Sequence, residues 1–231
     1  MKEDNGFKGF SPQTIKFMWE LGLNNERPWF EAHKAEFQEV FQLPMKALGQ
    51  TVFKKVTDKY ANRGLTHKLS RIYRDARRLR PGDGPYRTSL WFSLEKPTGA
   101  EWTDHPVFWF DLGPEKWSYG MGYGGAKAET MARFRARIDK DPKKFERLVA
   151  FLDKQEEFRL DGAEYARKKE APTKKTAAWY NKKSFSLIHE QQNGDELFSP
   201  DLAERISEGM MSLMPLYDYL ATLDSDPAPK A

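Results

Sequence analysis

The chain has 231 residues, of which 39% are hydrophobic, 31% charged and 14% aromatic, a composition typical of a folded protein rather than a disordered one. It contains no cysteine, which excludes disulfides, thiolate nucleophiles and cysteine-based zinc or iron–sulfur centres. The net charge of +4 is too small to indicate nucleic-acid binding by itself. Neither a secretory signal nor a run of the ~18 apolar residues needed to span a membrane is present, so we expect a cytoplasmic protein.

Helical periodicity dominates the first third of the chain. Ser11-Pro12 is typical of an N-cap followed by proline at the first helical position, and Pro28 is placed to open a second helix. Apolar residues recur at helical spacing as far as Val56. Because proline lacks a backbone N–H, Pro44 is predicted to break or kink the second helix.

The apolar period then changes from 3.6 to 2, which indicates β-strands. Three strands with short connections are predicted, at residues 86–95, 107–112 and 117–123. Short connections favour an antiparallel meander. One further strand is predicted at residues 185–189, before a turn at Asn193-Gly194.

Helical spacing returns after the third strand and again near the C-terminus. Ser199-Pro200 opens the last helix, and Pro215 is placed to kink it. We therefore predict a single α+β domain over residues 1–223, in which N-terminal and C-terminal helices pack on a central antiparallel sheet. Residues 224–231 are predicted to form a disordered tail.

Residues 68–86, with the sequence KLSRIYRDARRLRPGDGPY, are the most densely charged stretch of the chain and are called here the arginine segment. Five of its arginines lie within ten residues: Arg71, Arg74, Arg77, Arg78 and Arg80. The nearby acids are Asp75 and Asp83, and in a helical segment Asp75 would lie one turn from Arg71 and from Arg78. Guanidinium groups are always charged, so the surplus must face water, distant acids or an anionic ligand.

Turn signals end the arginine segment at the entrance of the first predicted strand, a position where binding loops often lie. The functional interpretation is a pocket for phosphate or carboxylate, in which Arg71, Arg74 and Arg77 contact the anion. Asp75 would orient the guanidinium groups, and Tyr86 would donate a hydrogen bond or stack. Two structural alternatives stay open: an ion-pair network that ties the first helices to the sheet, and a solvated basic face.

The arginine segment also matches a family motif, R-x-x-R-D-x-R-F-x-x-x-[D/N]-K-x-x-Y. The matching residues are Arg71, Arg74, Asp75, Arg77 and Tyr86, and the differing ones are Arg78, Gly82 and Asp83. Similar residues elsewhere are Gly9-Phe10-Ser11-Pro12, Asn24-Asn25, Arg27, Trp29-Phe30, Lys34, Gly122-Tyr123 and Ser199-Pro200. On these residues the chain resembles the family called domain of unknown function 2461 over nearly its whole length. The resemblance implies a bacterial, single-domain protein of similar length, and it implies no activity.

Glycines at 120, 122 and 125 give the pattern G-x-G-x-x-G between a predicted strand and a predicted helix. A dinucleotide-binding fold requires a parallel βαβ unit, whereas this strand belongs to the antiparallel meander. The glycines are better explained by close approach of another backbone. A second interpretation is that Gly124 and Gly125, at the helix start, join the arginines around one anion.

The histidines are His33, His67, His105 and His189, and none of them has metal-ligand spacing. We therefore predict neither a metal nor a cofactor. If the protein is an enzyme, Asp75 or His67 would have to transfer protons. The serines lack the G-x-S-x-G pattern, so the catalytic residues stay unknown at this stage.

Residues 167–175 form a basic run close to Trp179-Tyr180. Aromatic rings among basic residues are typical of single-strand binding, so nucleic acid is an alternative partner, although an exposed linker with a docking aromatic is the simpler interpretation. A third hypothesis is a non-catalytic interaction protein whose arginines are internal struts. The sequence does not indicate an oligomeric state.

Overall fold

The computed structural model describes residues 6–97 and 105–227. Its helices are α1 (Pro12–Leu23), α2 (Arg27–Ala32), α3 (Lys34–Phe37), α4 (Leu43–Tyr60), α5 (Ala128–Lys140), α6 (Pro142–Val149), α7 (Lys174–Tyr180), α8 (Leu202–Ser212) and α9 (Met214–Ala221). Its strands are β1 (Thr66–Leu69), β2 (Leu90–Glu95), β3 (Val107–Leu112), β4 (Lys116–Gly122), β5 (Arg159–Asp161) and β6 (Ser186–Gln192). Within the described residues, no helix is both long and apolar enough to cross a membrane.

The strands form one six-stranded antiparallel sheet in the order β1-β2-β3-β4-β6-β5. This sheet and its helices confirm the α+β class, and the adjacency of β2, β3 and β4 confirms the meander. The sequence pattern does not predict β1, because its four residues lack apolar alternation. Its pairing continues at Ser70, whose N–H donates to the Trp91 carbonyl at 2.8 Å and whose hydroxyl accepts from the Trp91 N–H at 2.9 Å.

Pro44 interrupts the regular helix without ending it. It lies in the first turn of α4, directly after a π-helical turn at Gln38–Gln42. Because Pro44 has no N–H, the carbonyl of Val40 lacks its usual donor four residues later. The buried hydroxyl of Thr14, on α1, donates to this carbonyl at 2.5 Å and so satisfies it.

The chain forms two compact units. Unit 1 is built from the described residues of Met1–Leu94, Trp109–Tyr119 and Glu190–Glu208, and unit 2 from those of Glu95–Phe108, Gly120–His189 and Gly209–Ala231. The boundaries between these ranges fall inside strands β2, β3, β4 and β6 and inside helix α8.

The core of unit 1 is rich in aromatic rings. Phe92 on β2 stacks on Phe110 on β3 with ring centroids 5.5 Å apart, and Trp117 on β4 lies 6.0 Å from Phe110. All three side chains are fully buried. Burial of a phenylalanine contributes about 1.5–3 kcal/mol, so these rings hold the strands that lead to the arginine segment.

The core of unit 2 is a second aromatic cluster. Phe134 on α5 packs edge-on against Phe145 on α6 at 5.3 Å, and Phe185 lies 5.1 Å from Phe134. Trp179 on α7 lies 5.1 Å from Phe185 and is buried. The basic run at 167–175 therefore ends in a helix that is anchored by this indole.

Residues 224–226, at the start of the predicted disordered tail, have defined structure. Leu223–Ser225 form a short 3-10 helix, and Leu223 is buried. Asp226 pairs with the Arg137 guanidinium at 2.6 Å. A buried leucine and a salt bridge thus extend the packed chain past residue 223, while residues 228–231 lie outside the described part.

Candidate functional site

Antiparallel pairing positions the arginine segment. Tyr73 and Tyr86 form a β-bridge, and the N–H of Arg74 donates to the carbonyl of Pro85 at 2.9 Å. Residues 76–84 form the connection between these two arms. The segment is therefore not a helix, apart from a single 3-10 turn at Ala76–Arg78. The expectation that Asp75 lies one helical turn from Arg71 does not hold.

Asn25, in the turn after α1, holds one arm of the segment. Its side-chain amide donates to the Tyr86 carbonyl at 3.0 Å, and its side-chain oxygen accepts from the Tyr86 N–H at 3.0 Å. A Cβ at residue 84 would overlap the Asn25 side chain, so the close approach requires Gly84. The side chain of Asn25 thus satisfies both the backbone N–H and the backbone carbonyl of Tyr86, as a neighbouring strand would do.

Tyr86 is part of this anchor. Its side chain is 2% exposed, and its ring stacks on Phe30 of α2 at 4.1 Å. Burial, together with the nearby Tyr73 and Glu31, raises the pKa of the Tyr86 hydroxyl, and Arg27 acts in the opposite direction. The ring of Tyr86 is therefore occupied by contacts inside the protein.

Asp75 orients Arg77. Its Oδ1 accepts from the Arg77 backbone N–H at 3.1 Å and from Nε at 3.0 Å, and its Oδ2 accepts from Nη2 at 2.8 Å. These hydrogen bonds lower the pKa of Asp75 to about 2, so the carboxylate stays ionised at neutral pH. The side chain of Arg77 is nevertheless 89% exposed, and its remaining N–H groups face solvent.

The other arginines of the segment are incompletely paired. Arg74 lies 3.4 Å from Asp83, and Arg78 only reaches 4.0 Å from Asp75 with an 88% exposed side chain. Among residues 6–97 and 105–227, no carboxylate lies within 4 Å of the side chain of Arg71 or of Arg80. The described acidic side chains therefore neutralise only part of the positive charge of the arginine segment.

Gly124 and Gly125 belong to unit 2, whereas the arginine segment belongs to unit 1. Gly124 lines a cleft of about 190 Å³ in unit 2, together with Gly162 and Ser186. Ser184, also on this cleft, accepts from the Ala126 N–H at 3.1 Å and donates to the Tyr123 carbonyl at 3.2 Å. The described contacts associate Gly124 with residues of its own unit.

His67 is enclosed by its neighbours. A Cβ at Gly49 of α4 would overlap its Nε2, and this nitrogen has no hydrogen-bond partner in the described part of the chain. The ring lies 5.6 Å from that of Phe92. Burial lowers the pKa of His67, so the ring is neutral and packs α4 against β1. These contacts argue against His67 as a proton-transfer group.

Two residues with unusual environments, Tyr73 and Asp111, are not predicted from the sequence patterns. Tyr73 is an exposed aromatic ring within the arginine segment. Asp111, on β3, has a pKa raised to about 6 by burial, which outweighs a hydrogen bond from Ser89 and the charge of Arg87. The signal for Asp111 is an acid within the otherwise apolar strand VFWFDL, which alternation alone assigns to the solvent side.

The basic run beside Trp179 is partly neutralised. Lys168 pairs with Glu164 at 2.7 Å, and Lys175 pairs with Asp153. The indole of Trp179 is buried in the core of unit 2, so it is not free to stack on a nucleobase. No group of three or more potential metal ligands occurs among residues 6–97 and 105–227.

The antiparallel sheet with helices in the order described defines an α+β protein, and its most strongly charged loop carries an R-x-x-R-D-x-R sequence. The chain belongs to the family of conserved hypothetical proteins DUF2461, whose model matches residues 13–219. The match includes the whole arginine segment, Asn25 and Asp111. No curated protein matches the chain.

Proposed function

We propose that the arginine segment binds a ligand that carries a phosphate or carboxylate group. The anion is contacted by Arg71, Arg74 and Arg77, and Asp75 orients the guanidinium group of Arg77. The observation that carries the proposal is the shortage of acids: Arg71 and Arg80 have no carboxylate within 4 Å among residues 6–97 and 105–227. Guanidinium groups that are close together and unpaired repel one another, and an anion relieves this repulsion.

The local backbone supports a preformed site. Asn25 and the bridge between Tyr73 and Tyr86 hold both arms of the segment before any ligand binds. Preorganised donors lose less entropy on binding than donors on a mobile loop. The exposure of Arg77 and Arg78 leaves their outward N–H groups accessible to a ligand.

Binding without catalysis is the function that these groups support best. Asp75 is ionised at neutral pH and hydrogen-bonded to Arg77, so it suits an orienting role rather than proton transfer. His67 is enclosed against α4. Each charge-assisted hydrogen bond to a bound anion contributes about 1.5–3 kcal/mol before the cost of association.

The test is a titration with inorganic phosphate, sulfate and citrate at low ionic strength, followed by calorimetry and by thermal shift. Arg71→Gln removes one contact and is expected to weaken phosphate binding about tenfold, since one charged hydrogen-bond partner is lost. Arg147→Gln is the matched control, because Arg147 is an exposed arginine on α6 in unit 2 and the charge change is the same.

Stabilisation of the wild type by these anions, with a selective loss in Arg71→Gln, supports the proposal. Equal losses in both variants would show a general effect of net charge and contradict a specific site. The absence of any stabilisation, including by sulfate, would reject anion binding altogether.

A further inference from the structure

Tyr73 is exposed although most aromatic side chains in the described residues are buried. Its relative exposure is 49%, whereas Phe30 and Tyr86, which it contacts, are 1% and 2% exposed. It lies in the arginine segment between Arg71 and Arg74. About half of its surface therefore remains in water, within a stretch of sequence that carries several cations.

The other rings of the cluster support Tyr73 from within the protein. Its centroid lies 5.4 Å from that of Tyr86 and 6.0 Å from that of Phe30, and those two rings stack at 4.1 Å. The β-bridge to Tyr86 fixes the backbone of Tyr73. Tyr73 is thus the outer member of a supported three-ring cluster, and its exposed surface is available without rearrangement.

The charges around this cluster favour an anionic partner. The arginine segment contains six basic and two acidic residues. Helix α2 adds Arg27 and Glu31, both of which act on the Tyr86 hydroxyl, and Glu31 pairs with Lys34 at 3.5 Å. A flat ring flanked in sequence by Arg71 and Arg74 offers stacking and anion binding within one short segment.

We propose that the ligand of the arginine segment is a phosphate attached to an aromatic or heteroaromatic ring, as in an aryl phosphate or a nucleotide. The ring stacks on Tyr73 while the phosphate is bound by Arg71 and Arg74. This inference rests on the proposed function and adds the chemical class of the ligand. Neither a sugar phosphate nor inorganic phosphate uses the exposed ring, so both should bind more weakly.

The first test compares four probes on the wild-type protein at low ionic strength: inorganic phosphate, ribose 5-phosphate, phenyl phosphate and adenosine 5′-monophosphate. The two ring-bearing probes are expected to bind about tenfold more tightly than ribose 5-phosphate, the size of effect that base–aromatic stacking produces. Equal binding of all four would overturn the inference but leave the proposed function standing. Failure of all four to bind would reject both.

The second test uses variants of the ring. Tyr73→Leu keeps an apolar side chain over Tyr86 and should abolish the preference for ring-bearing probes over ribose 5-phosphate. Tyr73→Phe keeps the ring and should retain the preference. Tyr60→Leu is the matched control, since Tyr60 lies outside the arginine segment with its ring beside the cations Lys59 and Arg63.

Melting curves for the three variants exclude unfolding as the cause of any loss. Persistence of the ring preference in Tyr73→Leu would contradict stacking on this residue. A short single-stranded oligonucleotide then identifies the source of the nucleotide chemistry. Binding tighter than that of the mononucleotide, with a steep salt dependence, indicates a nucleic-acid strand, whereas weaker binding indicates a free nucleotide.

Discussion

Arg137 in unit 2 and the arginine segment in unit 1 use the same side chain in opposite ways. The side chain of Arg137 is 17% exposed and pairs through Nε with Asp226 at 2.6 Å. Its other nitrogens donate to the Tyr219 carbonyl, to the Thr222 hydroxyl at 2.9 Å and to the Thr222 carbonyl at 2.9 Å. The guanidinium also lies over the Tyr219 ring at 5.0 Å.

The arginine segment lacks such a set of acceptors. Arg77 and Arg78 are nearly 90% exposed, and Arg71 has no carboxylate within 4 Å in the described residues. Arg137 is therefore a structural strut that ties the C-terminal residues to α5. The difference teaches that the number of arginines in a stretch does not separate a strut from a site, whereas the number of acceptors around each guanidinium does.

The largest expected effect comes from removing the strut. Arg137→Met leaves Asp226 and two carbonyl groups without their donor, and we expect a loss of about 3–4 kcal/mol, because the pair is partly buried. The melting temperature should fall by roughly 6–15 °C for a chain of this size. Thermal and urea unfolding measure both quantities.

Arg74→Met is the matched control for that comparison. Its one described ion pair, at 3.4 Å to Asp83, is partly exposed and should contribute about 1 kcal/mol or less. If Arg74→Met were as destabilising as Arg137→Met, the arginines of the segment would be internal struts. The proposal of an anion site would then lose its basis.

The second effect concerns Asp111. Burial disfavours its ionised carboxylate, although the charge of Arg87 acts in the opposite direction. Its pKa is raised to about 6 in the folded protein, against 3.8 for the free side chain. The raised pKa means that the folded protein favours the protonated carboxyl. The stability that this protonated form provides is fully present below about pH 4 and is lost as the pH rises through 6. A shift of about two units corresponds to about 3 kcal/mol.

Asp111→Asn removes this titration and keeps an acceptor for Ser89. We expect the variant to be more stable than the wild type by about 3 kcal/mol at pH 8, with the difference vanishing near pH 4. Urea unfolding of both proteins across this range isolates the effect, because all other groups titrate equally. A difference independent of pH would show that Asp111 is not desolvated.

The third effect on stability concerns the anchor of the arginine segment. Asn25→Ala removes the two hydrogen bonds to Tyr86 and should cost about 2 kcal/mol. Because the arm is then held less firmly, phosphate binding should weaken as well. Asn24→Ala removes one exposed hydrogen bond to the Glu20 carbonyl and should change neither property measurably. Equal effects of both variants would mean that Asn25 does not position the segment.

Local patterns predicted most of the regular structure correctly. The alternation of Phe108, Phe110 and Leu112 with more exposed residues locates β3 at the predicted residues. Strand β2 is shorter than predicted, since Tyr86 joins only an isolated bridge to Tyr73. β1 escaped prediction because its pairing comes from β2 and not from its own side chains.

The candidate site was predictable only in part. The excess of cations in the arginine segment is visible in the sequence, as is the match to DUF2461. The role of Asn25 was not, because the two groups that it joins are 61 residues apart. The exposure of Tyr73 and the burial of Tyr86 were not predictable either, since both tyrosines lie in the same charged segment and each is followed by an arginine.

The sequence alone determined most of the helices and strands, the absence of cysteine chemistry and the position of the densest positive charge. Period, caps and charge are local properties, and they need no knowledge of distant residues. Only the tertiary structure decided which arginines have acceptors, which tyrosine is buried and which carboxyl is desolvated. Those outcomes depend on contacts between residues far apart in the chain, such as Asn25 with Tyr86 and Arg137 with Asp226.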